Sequence, residues 1–115
     1  MATFLALQKL NNADLLINVG TCGGFKSKGG EIGDVFLATT VANHDRRIVI
    51  PVFMSYGVGK MENKFSSAFA KIAEDRNFKQ GVCTTGNSLD HTEEDDKHML
   101  ANDASVKVIT PSTII

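Results

Sequence analysis

An apolar run of strand length, Leu15 to Val19, breaks into a loop with glycine at positions 20, 23 and 24. Few features restrict a fold more. A strand that stops abruptly in glycine lets the backbone turn sharply and exposes main-chain N–H groups that no Cβ shields. In an open α/β sheet the carboxyl ends of the strands are where ligands bind. The loop therefore reads as one wall of a small-molecule site, with a tight ligand-free turn as the competing account. It matches neither G-x-G-x-x-G nor G-x-x-x-x-G-K-[ST], and the latter occurs nowhere in the chain. Dinucleotide and Walker-type phosphate sites are poorly supported.

The remaining pattern alternates. Phe4, Leu7 and Leu10 share a helical stripe over residues 3–10, with Thr3 as a cap and Asn11-Asn12 as a stop. Strands are expected at 15–19, at 35–42, at 48–50 ahead of Pro51, at 80–85 ending in a turn at Gly86-Asn87, and at 106–110. Ser66 or Ser67 caps a helix whose inner face carries Phe65, Phe69, Ile72 and Ala73. Thr92 opens a last helix with acids in its first turn, running to about Asn102. The order α-β-β-β-α-β-α-β, without an internal repeat, argues for one layered α/β domain over residues 1–115.

Composition narrows the function classes. A net charge of -1 gives no field of either sign, so neither nucleic acid nor a membrane surface is an expected partner. Cys22 and Cys83 are far apart and belong to no C-x-x-C, which speaks against structural zinc and a disulfide framework. A reducing cytosol is the expected compartment for such cysteines. With no signal-peptide pattern and no apolar run of spanning length, the expectation is a cytoplasmic chain.

Three side-chain groupings invite catalytic readings. In His44-Asp45-Arg46-Arg47, neighbouring residues on an extended segment point to opposite faces, so a His-Asp proton relay is disfavoured. A solvated turn or subunit contact is expected instead. His91, Asp95 and His98 fall at i, i+4 and i+7, a spacing that could align metal ligands. N-terminal capping by Thr92 and its acids explains the same residues better. Cys22 has no histidine nearby in sequence, and a small residue in a crowded turn accounts for it as well as a nucleophile does.

Four segments then combine: Asp14-Leu-Leu-Ile-Asn-Val-Gly-Thr-Cys-Gly-Gly-Phe25, Ile32-Gly-Asp-Val-Phe-Leu37, Val41-Ala-Asn-His-Asp-Arg-Arg47 and Thr85-Gly-Asn-Ser-Leu-Asp90. Together they resemble the plant-type 5′-methylthioadenosine/S-adenosylhomocysteine nucleosidases of the nucleoside phosphorylase family, over residues 3–107. The resemblance implies a three-layer α/β/α fold with a central mixed sheet, here incomplete, and a homodimer. It implies hydrolysis of the N-glycosidic bond between adenine and a 5′-thio-substituted ribose, with no cofactor and no metal. By position it assigns Thr21, Cys22 and Gly23 to the loop that touches ribose and purine. Leu89 and Asp90 are assigned to the adenine side, Leu89 by packing and Asp90 mainly through its backbone. His44 and the Tyr56–Gly59 loop resemble segments near the subunit contact and the 5′ end of the pocket.

Some family features have no counterpart in these 115 residues. Family members carry a water-positioning Glu near the chain start, a ribose-gripping Glu in Met-Glu-Gly and an Asp that protonates the leaving adenine. No residue here matches them, so no catalytic residue is assigned. Residues 108–115 diverge from the family pattern. Asn87 stands where relatives usually carry Asp. General acid–base groups contribute about 10²–10⁴-fold each. The expectation is a truncated chain that is inactive alone, or a non-catalytic partner that dimerises with a full-length nucleosidase.

Overall fold

The computed structural model describes residues 2–10, 15–46, 50–88 and 90–109. Its centre is a mixed five-stranded sheet. The strands are β1 (Gly23–Gly24), β2 (Phe36–Asn43), β3 (Met61–Glu62), β4 (Lys79–Gly86) and β5 (Ala104–Ile109), in the order β1-β5-β4-β2-β3. The three long strands β2, β4 and β5 run parallel, while the short outer strands β1 and β3 pair antiparallel. Helices α1 (Ala2–Lys9), α2 (Ser67–Asp75) and α3 (Glu93–Ala101) complete the elements, with 3-10 turns at Lys26–Lys28 and Pro51–Gly57.

The helices start and stop for local reasons. The Ser66 hydroxyl accepts the Phe69 N–H at 3.2 Å, capping α2. In α3 the Thr92 hydroxyl accepts the Asp95 N–H and the Asp95 carboxylate accepts the Thr92 N–H, a reciprocal box satisfying two orphan donors. Both helices close through a left-handed residue that is not glycine. Asn77 (φ 55) donates to Glu74 O and Asp103 (φ 58) to Leu100 O. Asn and Asp tolerate that conformation best among residues with a side chain. Asp103 then turns the chain directly into β5.

β5 alternates as a one-sided strand should: Ala104 and Val106 are buried, Ser105 and Lys107 partly exposed. Met99 of α3, 1% exposed, joins Ala104, Val106, Ala42 and Ala73 in a small core. At the amino end of the sheet Lys79 ties β4 to the glycine-rich connection, donating to Asp34 Oδ2 at 2.6 Å and Gly29 O at 2.7 Å. Lys28 pairs with Asp103 on the same side.

Several expectations need correction. Leu15–Val19 form no strand among the described residues, and Leu15, Leu16, Ile17 and Val19 are exposed, Val19 by 86%. An apolar run becomes a strand only where a neighbour accepts its N–H groups, and no ladder to this run is formed among the described residues. α1 begins before Thr3, which falls inside the first turn rather than at a cap. Ile50 leads into the 3-10 turn rather than ending a strand, because Pro51 has no N–H for a ladder. Ile72 of α2 is exposed, and only Ala73 of its expected inner face is fully buried. The Asn11-Asn12 stop, Ile48-Val49 and residues 110–115 lie outside the described residues. The Cα radius of gyration is 15.2 Å.

Candidate functional site

Parallel strands place their carboxyl ends on one side, and here β2, β4 and β5 finish together, with Asn43 opposite Thr85 and Gly86 opposite Ile109. β1 runs antiparallel to β5, Gly23 opposite Lys107 and Gly24 opposite Val106. The chain before Gly23 therefore approaches from that same carboxyl edge. Topology thus brings Thr21, Cys22 and Gly23 to the sheet edge from which the Gly86–Ser88 turn and Asp90 emerge. Thr21, Cys22, Gly23 and Asp90 are all exposed, whereas Leu89 lies outside the described residues. Gly30 backs the loop. Its Cα lies so close to Gly24 that a Cβ there would sit 3.1 Å from the Gly24 Cα.

Cys22 is exposed rather than crowded. Cys83, half-buried on β4, has its thiol pushed up to about 11, first by burial and then by the neighbouring Cys22. Cys83 is thus a packing residue with little thiolate at neutral pH.

Behind this edge lies a buried polar network. The chain after β2 continues its ladder, since the His44 N–H donates to Thr85 O at 3.0 Å. The His44 ring is 3% exposed, with Nδ1 3.1 Å from the Thr84 hydroxyl. Gly86 makes room for it: a Cβ at Gly86 would lie 2.6 Å from His44 Nε2. Asn102, just past α3, joins both strands. Its Nδ2 donates to Asn43 O (3.1 Å) and to the Thr84 hydroxyl (3.4 Å), and its Oδ1 accepts from Arg46 Nη2 (3.1 Å). Of the solvated turn or subunit contact expected at His44–Arg47, the solvated reading is therefore corrected for His44, while Arg47 lies outside the described residues. The ring is enclosed because the β4 turn has no side chain to exclude it.

Burial holds the His44 imidazole below its ordinary 6.5, with the Asp95 and Asp45 carboxylates pulling it back up and Lys107 and His91 pushing it further down. The linkage has a definite sign. As pH falls through about 6.5 the unfolded chain takes up a proton that folded His44 still refuses, so acidification favours unfolding. Above that value the contribution vanishes. The urea midpoint is expected to fall between pH 7.5 and pH 5.5, and to fall less in His44→Gln. An equal acid sensitivity in the two proteins would refute this assignment.

The spaced trio His91, Asp95 and His98 is divided among three tasks. His91 precedes α3 and its Nε2 faces Asp96 Oδ2 at 3.1 Å. Asp95 belongs to the capping box, and His98 is buried in the last turn of α3. Glu62, which belongs to the one Met-Glu pair in the chain, lies on β3 at the sheet edge furthest from β1 and is followed by Asn63. It is far from the glycine loop. A cleft of about 120 Å³ lined by Phe25, Lys28, Met99, Asp103 and Ala104 sits at the amino end of β5, away from the carboxyl edge.

Sequence reasoning missed the roles of Asp45, Asn102 and Thr84. For Asp45 the available signal was Asn43-His44-Asp45, an Asx turn in which Asn43 Oδ1 accepts the Asp45 N–H at 3.2 Å. Nothing in a linear pattern says that its carboxylate reaches the next strand's turn.

A mixed sheet whose glycine loop and strand-end turns converge at the carboxyl edge of parallel strands defines an α/β protein of the nucleoside-phosphorylase type. The phosphorylase superfamily pattern matches residues 1–108, and the chain belongs to that family. It is 48% identical over 107 residues to the 5′-methylthioadenosine nucleosidase of Arabidopsis thaliana, covering 93% of this chain and 39% of the relative. A 5′-methylthioadenosine/S-adenosylhomocysteine nucleosidase from the same plant is 47% identical over 106 residues, covering 92% and 39%. Among solved structures, apo Arabidopsis thaliana 5′-methylthioadenosine nucleosidase superposes with a TM-score of 0.80 at 45% identity, over 95% of this chain and 43% of that one. The Helicobacter pylori protein superposes with a TM-score of 0.53 at 20% identity over 80% of this chain and 46% of that one, a likeness of fold. The chain thus spans about two fifths of the length of the curated relatives it matches.

Proposed function

We propose that these residues form the ribose- and purine-facing part of an N-glycosyl hydrolase that releases adenine from 5′-methylthioadenosine. The observation that carries this reading is the near-half identity to two such nucleosidases over more than nine tenths of this chain, taken with a sheet that brings Thr21–Gly23 and the Gly86–Ser88 turn to one edge. Thr21, Cys22 and Gly23 face the ribose and purine, while Leu89 and Asp90 flank the adenine. In such cleavage positive charge builds on the sugar while an acid neutralises the leaving base. None of the described carboxylates is assigned that task, so the 115 residues alone bind without turning over.

A dimer is part of the proposal. The segment after β2 exposes Ile50, Val52, Phe53 and Tyr56, with Val52 and Tyr56 each 81% exposed. An apolar cluster of this kind marks a contact surface, for a second copy or for a full-length nucleosidase. Purified chain incubated with 5′-methylthioadenosine is expected to release no adenine above buffer and to elute from gel filtration as a dimer. Clear turnover would refute the assignment of roles, and a monomer at all concentrations would remove the contact surface.

A further inference from the structure

Asp45 lies where β2 has ended, and one of its carboxylate oxygens spans the gap to the turn after β4. Oδ2 accepts the Ser88 N–H at 2.8 Å and the Asn87 N–H at 3.1 Å. Ser88 passes the constraint on, because its hydroxyl accepts the Asp90 N–H at 3.3 Å. The backbone that carries this carboxylate is itself held from behind. Asn43 Oδ1 takes the Asp45 N–H, and Asn43 Nδ2 donates to Asp45 O (3.4 Å) and Gly57 O (3.3 Å). Gly86 leaves room for this approach, since a Cβ there would lie 3.0 Å from the Asp45 Cβ.

Two main-chain donors meeting one carboxylate oxygen form charge-assisted bonds, roughly twice as strong as neutral ones. A turn of Gly-Asn-Ser has no other obvious reason to hold a single shape, because glycine and exposed Asn87 supply little packing. We propose that Asp45 is a positioning residue: its carboxylate fixes the Gly86–Ser88 turn, and through Ser88 the Asp90 backbone, in the geometry that presents this turn to the nucleobase. This rests on the proposed nucleoside site, whereas the clamp itself rests on the hydrogen bonds alone.

The full 115-residue chain, labelled with ¹⁵N, tests both parts. In Asp45→Ala the Asn87 and Ser88 amides are expected to exchange at least about ten-fold faster, while Val82 and Thr84 keep their protection. Asp45→Asn, which retains an acceptor oxygen, is expected to restore most of the protection. 5′-Methylthioadenosine is then titrated into each protein. About ten-fold weaker binding is expected for Asp45→Ala, the scale of one lost hydrogen bond to a charged group, with rescue by Asp45→Asn. Undiminished protection in Asp45→Ala overturns the clamp. Freed amides with unchanged nucleoside affinity overturn the positioning role. If wild type binds no nucleoside, the proposed function fails, and the clamp stands or falls on the exchange rates.

Discussion

Gly81→Ala is expected to cost about 3 kcal/mol of stability, near the upper end for forcing extra atoms into a packed site. Gly81 sits on β4 beside the bulge where its register with β5 shifts between Val82 and Cys83. A Cβ at Gly81 would lie 2.3 Å from Ser105 Oγ and 2.5 Å from Ser105 Cβ. The hydroxyl could rotate away, but the Ser105 Cβ is fixed by its backbone. The two strands must separate, and the β4–β5 pair is the axis of the sheet. The ladder above the clash includes Cys83–Val106 and Thr84–Lys107, so the damage spreads to the carboxyl edge. Urea unfolding followed by circular dichroism measures the loss. Ser105→Gly introduced into Gly81→Ala is expected to recover most of it, which distinguishes a steric clash from a change in strand propensity. An unchanged midpoint in Gly81→Ala would contradict the packing described.

Parts of this molecule are legible in its sequence, and the legible parts share a cause. β2, β4, β5, α2 and α3 were all readable because their determinants are local: β-branched runs, the Ser66 cap, the Thr92–Asp95 box. Leu15–Val19 has an equally clear strand pattern and forms none among the described residues. Strand pairing needs a partner, which a one-dimensional pattern does not reveal. β1 and β3, two residues each, exist only because Gly24 and Met61 meet existing strands. At the site, the glycine loop announced itself through its composition. The burial of His44 is not legible in a linear pattern because the space it fills is created by Gly86, on a different strand. Asp45 escaped notice for the same reason, since its partners Asn87 and Ser88 come close only once β2 and β4 align in parallel.

The second large effect concerns chemistry. Under the function proposed above, this chain supplies a nucleoside-facing edge and the carboxylates for bond cleavage come from elsewhere in the family fold. Supplying them should therefore restore turnover from nothing. At 48% identity over 107 aligned residues, about half of the matching segment of the Arabidopsis thaliana 5′-methylthioadenosine nucleosidase is identical here. Cores tolerate substitution when volume and pattern are kept. Within such a hybrid, Thr21→Val would keep shape and delete one hydroxyl, with an expected loss of about ten-fold in kcat/KM.

The decisive measurement is adenine release from 5′-methylthioadenosine by that hybrid, the Arabidopsis enzyme carrying residues 3–107 of this chain in place of its own matching segment. Activity within about ten-fold of the parent, together with none from the 115 residues alone, is the result expected here. A hybrid that melts cooperatively like the parent yet frees no adenine would contradict the claim that this strand edge faces a nucleoside.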